Sequence, residues 1–241
     1  MTQSFEDIQL SVIVPAYLEA STISASLNRL REELDACALN YEVVLVVDGN
    51  FDSTAEIAEN LYWERLNILQ LESNHGKGYA LKFGIAHAKA SRYIAYIDAD
   101  LDINPVVITQ SLPILIGDNS ISLCVGSKNL PTSNVYYPNY RKVLSFGFQS
   151  ITRILFDLAV RDTQTGFKIG RAQDLRKIAP AINDDGYTFD LELLIAFQHA
   201  GLKLKEIPVE INYDFSSTVK IASIMSMLKS VVKIKLSYLF K

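Results

Sequence analysis

The sequence predicts an α/β domain built around a mostly parallel, Rossmann-like sheet that is flanked by helices. The first observation behind this prediction is that short, apolar, β-branched runs recur early, at residues 10–15, 41–47, 66–71 and 92–97. The second is that apolar residues recur at three- and four-residue spacing between these runs, at residues 23–37, 53–62 and 77–89. Strands and helices that alternate at this interval are typical of βα units, whose strands run parallel.

The second half of the chain continues with less regular spacing. Its elements are predicted in this order: a fifth strand at residues 120–126, a mobile loop at 128–139, a long helix at about 141–160, a turn and short strand at 162–170, a helix starting near Asp190, a final strand at 202–212 and a helical tail from Val219.

Length and composition indicate one folded domain. The 241 residues, of which 49% are hydrophobic and 21% charged, are sufficient to bury a substantial core. Cys37 and Cys124 have neither metal-ligand spacing nor the density of a disulfide scaffold, which favours a reducing compartment. The first ten residues do not have the pattern of a secretory signal, so we expect a cytoplasmic protein.

Charge is distributed unevenly along the chain. The net charge of −4 argues against nucleic acid as a partner. From residue 215 onward there are five lysines and no acidic residue, so residues 1–214 carry a net charge of −9. We therefore expect a main domain at residues 1–214 and a basic tail at residues 215–241. A basic tail on an acidic body favours an anionic membrane surface as its target.

The tail has an amphipathic helical pattern. Its apolar stripe recurs at three- and four-residue steps through Ile221, Ile224, Met225, Leu228, Val232, Leu236 and Leu239. Lys235 falls within this stripe and Ile234 lies off it. Because lysines interrupt the apolar segment and can snorkel, we expect the tail to lie on a membrane at the cytoplasmic face and not to cross it. A helix that packs on the core, on another subunit or on an integral membrane partner is the alternative.

Polar or glycine-rich segments follow the first four predicted strands. They are Pro15-Ala16-Tyr17-Leu18-Glu19, Asp48-Gly49-Asn50, Asn74-His75-Gly76-Lys77-Gly78 and Asp98-Ala99-Asp100. In an open parallel sheet, the ligand crevice forms at the carboxyl ends of the strands. We therefore expect these four segments to share one edge of the sheet and to form the binding site.

The pair Asp98 and Asp100 emerges from a buried strand at this edge. A divalent cation commonly compensates such closely spaced acids, and it would also bridge a substrate diphosphate. Asp102 could supply a third oxygen ligand. These residues predict a Mg²⁺ or Mn²⁺ site, with a plain capping or turn cluster as the alternative.

Taken together, the motifs resemble those of the family 2 glycosyltransferases, and within them the polyprenyl-phosphate sugar synthases, which include the dolichyl-phosphate mannose synthases and glucosyltransferases. The resemblance runs from Ser11 to about Tyr213. Besides the four strand-end segments, it includes Asp52-Ser53-Thr54, Gly126-Ser127-Lys128, Arg141 and Ser145, Asp162-Thr163-Gln164-Thr165-Gly166-Phe167-Lys168, Phe189-Asp190-x-Glu192 and Glu206-x-Pro208-Val209. It implies a GT-A fold and an inverting, metal-dependent hexosyltransferase that uses UDP-glucose or GDP-mannose.

The resemblance also implies residue roles on the donor side. Pro15, Tyr17, Glu19 and Asp48 would frame the nucleoside, while Asp98 and Asp100, with Ala99 between them, would hold the diphosphate through the cation. Lys77 lies in a tight turn that admits the donor. A simple strand-to-helix turn is the alternative for Tyr17 and Glu19.

The acceptor side carries cations. A phosphate monoester is already anionic at neutral pH, so a polyprenyl phosphate needs positioning more than it needs a general base. Lys128, Arg141 and Ser145 are the candidates to position it, and Gln164 lies in the segment that resembles the family's acceptor-side loop. If the acceptor were instead a glycan hydroxyl, Asp190 or Asp162 would be the candidate base. A solvated basic helix start is the alternative for the cations, and favourable placement in the first helical turn is the alternative for Asp190 and Glu192.

Two positions depart from the family pattern. Val47 stands where the family usually has the first of two aspartates, which leaves Asp48 alone and puts base recognition in doubt. The family often has arginine where Lys128 stands; lysine keeps the charge but not the bidentate geometry. The change at Val47 also keeps open a catalytically silent module that binds sugar nucleotides.

Overall fold

The computed structural model describes residues 7–136, 152, 154–212 and 231–236. In the first half, strands and helices alternate in this order: β1 Leu10–Ala16, α1 Ile23–Asp35, β2 Tyr41–Val47, α2 Thr54–Glu59, β3 Leu66–Gln70, α3 Lys77–His87, β4 Tyr93–Ile97, α4 Val106–Gly117 and β5 Ile121–Ser127. The second half continues with β6 Asn134–Tyr136, β7 Phe167–Arg171, α5 Ala172–Ile178, a 3₁₀ turn at Ala179–Ala181, α6 Phe189–His199, β8 Lys203–Pro208 and β9 Glu210–Asn212.

The described strands form a seven-stranded sheet in the order β3-β2-β1-β4-β7-β5-β8. Strands β1 to β4 pair in parallel, and β5 and β8 also run parallel to each other. Strand β7 lies between these two blocks and is antiparallel to both of its neighbours. A separate parallel pair is formed by β6 and β9. The prediction of a mostly parallel α/β sheet flanked by helices is thus confirmed.

Both faces of the sheet are covered by helices. Strand β2 is buried at all of its seven positions, as expected for a central strand of an α/β sheet. Val43 packs on one side in the cluster that contains Leu30 of α1, while Val44 packs on the other side with Ile85 of α3. Each fully buried side chain of this size contributes roughly 1.5–3 kcal/mol to folding. This packing fixes the strand ends that carry the polar segments.

The first five predicted strands and the first three predicted helices are present, with ends that differ by a few residues. The predicted final strand at residues 202–212 is two strands, because the chain leaves the main sheet after Pro208 and continues in β9 beside β6. The predicted mobile loop at residues 128–139 contains β6, which this pairing with β9 orders. Helices α4 and α5 have no counterpart in the prediction.

The helix predicted at residues 141–160 ends earlier in the structure than predicted. Residues 154–156 are helical, but Asp157 has a φ of 48°, in the left-handed region, and the helix does not continue to Val160. The side chain of Gln198 donates to the carbonyl of Asp157 and accepts from the N–H of Ala159, so α6 holds the chain in this turn. Residues 141–151 and 153 lie outside the described residues.

The described part of the tail, residues 231–236, is helical and packs against the body. Val231 and Ile234 are buried in the same cluster as α3, whereas Val232 and Leu236 are 57% and 50% exposed. Lys235 turns inward, donates to the carbonyl of Leu155 at 2.5 Å and lies over the ring of Phe156. Ile234, which was predicted to lie off the apolar stripe, therefore packs on the core. Val232 and Leu236, which were predicted to be part of the stripe, face outward.

Within the described ranges, none of the helices combines the length and the apolar character needed to span a bilayer.

Candidate functional site

The segments that follow β1, β2 and β3 meet at the carboxyl edge of the sheet, as predicted. The carboxylate of Asp48 accepts the backbone N–H groups of His75 and Gly76, both at 2.8 Å. The N–H of Asp48 in turn donates to the carbonyl of Ala16 at 2.8 Å. Asp48 is only 3% exposed. Asp48 therefore connects the carboxyl ends of β1, β2 and β3 through hydrogen bonds.

A second set of hydrogen bonds joins the β1–α1 and β2–α2 segments. The N–H of Glu19 donates to the hydroxyl of Thr54 at 3.0 Å, and the N–H of Ala20 donates to the carboxylate of Asp52 at 3.1 Å. The hydroxyl of Thr22 donates to the carboxylate of Glu19 at 2.6 Å and makes no cap bond to α1. These contacts hold Glu19 at the edge, beside the predicted metal-binding acids.

A residue with a positive φ angle lies in or directly after each of the four strand-end segments. Leu18, Gly49, Gly76 and Leu101 have φ angles of 58°, 112°, 100° and 47°. For leucine this conformation is strained, and such strain is found preferentially at functional sites. Gly76 is required for a second reason, because a Cβ would lie 2.4 Å from the carbonyl oxygen of Asp185. The backbone is thus bent sharply at every strand end that forms the site.

Asp98 lies at the end of β4, between Lys77 and Gly166. Its carboxylate is 2.5 Å from the ammonium of Lys77, and its N–H donates to the carbonyl of Gly166 at 3.1 Å. In the antiparallel register Ile97 is opposite Phe167, so the residue before β7 falls beside Asp98. A Cβ on Gly166 would be 1.9 Å from the Asp98 carboxylate. Glycine is therefore the residue that leaves space for this acid.

Asp100 lies in an acid-rich part of the edge, next to the ion pair that Lys77 forms with Asp98. Burial, and then the nearby charges of Asp98 and Asp102, raise the pKa of Asp100 to about 7. Burial is also the main cause that raises the pKa of Glu19, with Asp52 and Asp98 adding to it. A divalent cation held by carboxylate oxygens would relieve this repulsion. The residues present therefore fit Mg²⁺ or Mn²⁺, which commonly bind one or two carboxylates together with substrate phosphates.

In the ranges that the structure describes, no three His, Cys, Asp or Glu side chains converge as a preformed metal site. Asp102 donates its N–H to the carboxylate of Asp100 at 3.2 Å. Its role as a third ligand stays a prediction. Ala99, between the two acids, is buried.

Beneath this acid pair lies a buried network centred on Asp190. One oxygen of Asp190 accepts the hydroxyl of Tyr96 at 2.7 Å and also the ammonium of Lys168, while the other lies 3.6 Å from the ammonium of Lys77. Lys168 is fully buried and also donates to the carbonyl of Thr165 at 2.8 Å. Burial alone would raise the pKa of Asp190, but Lys168 and Lys77 together with these hydrogen bonds lower it below its ordinary value.

Lys168 is a residue of this network that the sequence interpretation missed, although a signal for it exists. A lysine at a buried strand position needs an acidic partner, because an isolated buried ammonium is very costly. In the sequence, the apolar neighbours Phe167 and Ile169 indicate such a position, and both are buried in the structure. Asp190 was predicted as a site residue without its lysine partner.

Glu192, which lies in the first turn of α6, has a structural role. Its carboxylate accepts the N–H of Asn183 at 3.1 Å, the N–H of Asp184 at 2.9 Å and the side-chain amide of Asn183 at 3.1 Å. The 183–186 loop held in this way packs against Gly78, where a Cβ would be 2.7 Å from the carbonyl oxygen of Asp184. Glu192 therefore supports the turn that carries Lys77.

The loop that was predicted to lie on the acceptor side is anchored by Asp162. The carboxylate of this fully buried residue accepts the N–H of Lys128 at 2.9 Å and that of Gln164 at 3.1 Å, and the ammonium of Lys128 lies 3.7 Å away. Among the described residues, three neighbouring buried polar atoms have no hydrogen-bond partner: Thr163 Oγ1, Gln164 Nε2 and Thr165 Oγ1. Arg141 and Ser145, the other predicted acceptor residues, lie outside the described residues.

Pro15 and Tyr17 occupy different positions at the edge. Pro15 is within β1, opposite Val46, and Tyr17 is 46% exposed just after the strand. The edge therefore presents an aromatic side chain, a cluster of acids and Lys77 within one region. Lys128, after β5, and Gln164, before β7, lie in two further segments that Asp162 joins. This arrangement can hold a cation-bound diphosphate on one side and an anion on the other.

Comparison with known proteins gives three consistent findings. The sequence model described as Glycosyl transferase family 2 matches residues 11–179. The dolichyl-phosphate beta-glucosyltransferase of Dictyostelium discoideum is 30% identical to the chain over 97% of this chain and 76% of that protein. Those of Saccharomyces cerevisiae and Homo sapiens are 26% and 28% identical, covering 98% and 96% of this chain and 77% and 76% of theirs.

Among solved structures, glucosyl-3-phosphoglycerate synthase from Mycobacterium tuberculosis in complex with uridine diphosphate has a similar fold. The TM-score is 0.73 at 18% sequence identity, and the alignment covers 95% of this chain and 79% of that one. The same enzyme has been crystallised with uridine diphosphate and either Mn²⁺ or Mg²⁺. At this identity the similarity shows the fold alone, and it is the fold that the sequence motifs imply.

Proposed function

Because the chain belongs to glycosyltransferase family 2, we propose that it transfers a hexose, preferentially glucose, from a nucleotide-diphosphate sugar to a polyprenyl phosphate of the dolichyl type. The named activity of the curated relatives supports this choice of acceptor and sugar. UDP-glucose is accordingly the preferred donor of the proposal, with GDP-mannose as the rival.

The observation that supports a phosphate acceptor most directly is that the Asp190 carboxylate is buried and paired with Lys168. An acceptor hydroxyl would need a general base, and Asp190 and Asp162 are the candidates. Both carboxylates are buried and already accept hydrogen bonds, and the pKa of Asp190 is held low by Lys168 and Lys77 against the effect of burial. A carboxylate in this state is a weak proton acceptor. A phosphate monoester needs no such base, because its oxygen is already anionic.

On the donor side, Asp98 and Asp100 would hold Mg²⁺ or Mn²⁺, which supplies charge neutralisation for the leaving diphosphate when it is bound. Lys77 lies against Asp98 and is positioned to pair with a phosphate oxygen. Burial would lower the pKa of Lys77, but Asp98 and Asp190 raise it above its ordinary value, so the side chain stays cationic. Pro15, Tyr17, Glu19 and Asp48 would border the nucleoside.

The proposed transfer is an in-line displacement with inversion at the anomeric carbon. An oxygen of the lipid phosphate attacks this carbon, the bond from the carbon to the donor β-phosphate oxygen breaks, and its electron pair leaves with the nucleoside diphosphate. Lys128, Arg141 and Ser145 would orient the lipid phosphate.

The proposed place of action is the cytoplasmic face of a membrane, where a polyprenyl phosphate resides. Val232 and Leu236 are exposed beside the exposed Lys233, which is the composition of an interfacial helix. In this proposal the tail contacts lipid directly. The alternative is that it contacts an integral membrane partner.

The test is a donor and acceptor panel with the full chain. UDP-glucose and GDP-mannose are incubated with Mg²⁺ and with a short polyprenyl phosphate, with a glycan acceptor or with neither, and release of the nucleoside diphosphate is followed. We expect release that depends on lipid phosphate and is faster with UDP-glucose. Release that instead depends on a glycan hydroxyl acceptor would replace the proposed acceptor, and donor binding without any release would identify a silent binding module.

A further inference from the structure

Two lysines and two aspartates are connected in a row beneath the candidate donor site. Lys168 pairs with Asp190, and Asp190 lies 3.6 Å from Lys77. Lys77 in turn lies 2.5 Å from Asp98. The side chains of Lys168 and Asp190 are 0% and 4% exposed, whereas that of Lys77 is 18% exposed. Lys168 is therefore the buried end of a balanced row of charges whose other end reaches the edge of the sheet.

Strand pairing fixes Lys168 in this position. It lies opposite Tyr96 in the antiparallel register of β7 and β4, and its ammonium is 5.4 Å from the centre of the Tyr96 ring. The ammonium also donates to the carbonyl of Thr165 at 2.8 Å. These contacts hold the charge of Lys168 against one oxygen of Asp190. Because Lys168 is fully buried, we do not expect it to touch a ligand at the edge.

Lys77 lies between two carboxylates and is closer to Asp98 than to Asp190. Asp190 already accepts the ammonium of Lys168 and the hydroxyl of Tyr96, both at its Oδ1 atom. Without the charge of Lys168, the Asp190 carboxylate would carry an unbalanced charge in a buried position, which is strongly unfavourable. Lys77 has a long and flexible side chain, so it would then be drawn away from Asp98 and toward Asp190.

We propose that Lys168 is a positioning residue: by balancing the charge of Asp190, it leaves the ammonium of Lys77 at the edge, where it can bind a phosphate oxygen of the donor. This inference rests on the proposed function, because that function supplies the diphosphate. Lys168 does not contact the donor, and its effect passes through Lys77. Removing Lys168 therefore weakens donor binding only as far as Lys77 contributes to that binding.

A double-mutant cycle tests this dependence. Affinity for UDP in the presence of Mg²⁺ is measured by calorimetry for the unaltered full chain, for Lys168→Met, for Lys77→Met and for the variant with both changes. Each single change should lower the affinity by about 10- to 100-fold, the range for one hydrogen bond to a charged group. The variant with both changes should bind UDP no more weakly than Lys77→Met does. Losses that multiply in this variant, or unchanged affinity in Lys168→Met, would overturn the proposal.

A neutral version of the buried pair separates positioning from a purely structural role. In Lys168→Met/Asp190→Asn, Lys77 has no unbalanced carboxylate to move toward, so most of the UDP affinity should return. This variant leaves no buried charge unpaired, and it therefore keeps the test decisive if Lys168→Met alone does not fold. Circular dichroism and thermal melts verify the fold of each variant. A folded neutral variant that binds UDP as weakly as Lys77→Met does would overturn the proposal.

Tyr96→Phe is the matched control. It removes another hydrogen bond to the same oxygen of Asp190 but no charge, so UDP affinity should stay unchanged. A loss as large as that in Lys168→Met would show that any change around Asp190 disturbs the site, and the charge-balancing role would be wrong. These outcomes leave the proposed function standing. Failure of the unaltered protein to bind either UDP or GDP would instead remove the proposed function, and this inference with it.

Discussion

Gly166 shows how one missing side chain shapes the candidate site. It precedes β7, and the antiparallel register of β7 with β4 brings it beside Asp98. An added Cβ would lie 1.9 Å from one carboxylate oxygen of Asp98 and 2.4 Å from its Cγ. The contact is to a side chain that can rotate away, so a methyl group there should displace the acid and leave the strands in place.

We therefore expect Gly166→Ala to lose activity without losing its fold. A displacement of about 1 Å in a catalytic group can reduce turnover by roughly 100-fold. Lipid-dependent release of nucleoside diphosphate and the melting temperature are measured together. Gly117→Ala serves as the control, because a Cβ there meets no atom within 4 Å and the position ends α4. Equal activity in both variants would show that Asp98 does not need its present position.

The acids themselves give the second test. Asp98→Asn and Asp100→Asn keep the side-chain volume but remove the negative charges that a divalent cation requires, so turnover should be abolished in each. Because Asp100 sits among like charges, its neutralisation should not lower the melting temperature of the ligand-free protein. Exhaustive chelation with EDTA should reproduce the loss, and added Mg²⁺ or Mn²⁺ should restore it. Full activity in Asp100→Asn would contradict the metal assignment, and Asp102→Asn decides whether a third carboxylate takes part.

The tail helix has one buried face and one exposed face, so its effects on stability and on membrane binding can be tested separately. Val231 and Ile234 are buried against the body, while Val232 and Leu236 of the same helix face outward. The burial of two positions means that deleting the whole tail would remove core packing as well as any interaction with lipid. Point substitutions on the two faces distinguish these effects more clearly than a truncation does.

We expect Leu236→Asp to weaken binding to anionic liposomes by about tenfold or more, since it removes apolar area and adds a repelled charge, with little change in melting temperature. Ile234→Asp places a charge in the core and should lower the free energy of unfolding by at least about 2 kcal/mol. Cosedimentation with vesicles at low and high salt measures the first effect, and thermal melts measure the second. If Leu236→Asp binds vesicles as well as the unaltered protein does, the outward face has another partner.

The elements found from sequence are those with a strong local pattern. Strands β1, β2 and β4 are predominantly apolar, and the rule that ligands bind at the carboxyl ends of parallel strands correctly placed the segments that follow them together. The reversal of β7 could not be predicted, because side-chain periodicity carries no information about strand direction. Helix α4 was missed because it is apolar on most sides and contains Pro113, so it lacks a helical stripe. Strands β6 and β9 are three residues each and depend on pairing between distant parts of the chain.

The sequence also predicted part of the candidate site. Acids at strand ends were recognised, because their position follows from the order of elements. The partners of Asp190 were not, since Tyr96 and Lys168 are 94 and 22 residues away from it in sequence and meet it only in the folded chain. The interpretation of Glu192 as a helix-start acid was also incomplete: it holds the 183–184 backbone.

The candidate donor site is formed by side chains from separate parts of the chain. Lys77 comes from α3, Asp98 from the end of β4 and Asp190 from the start of α6, and the three meet around one ion-pair network. A ligand that binds between them should therefore stabilise the whole domain against unfolding, because unfolding must separate all of its contacts.

We expect UDP with Mg²⁺ to raise the melting temperature. At a ligand concentration of about 100 times Kd, linkage adds about 2.7 kcal/mol of stability. For a chain of this length that corresponds to a rise of about 5–11 °C. The rise should disappear in EDTA and in Asp100→Asn, because in both cases the diphosphate loses the cation that joins it to the strand end. The measurement is a thermal melt with UDP, Mg²⁺ and EDTA varied independently. A shift that survives chelation would mean that Lys77 and the loops hold the nucleotide without a metal, and the metal dependence of the proposed transfer would then be wrong.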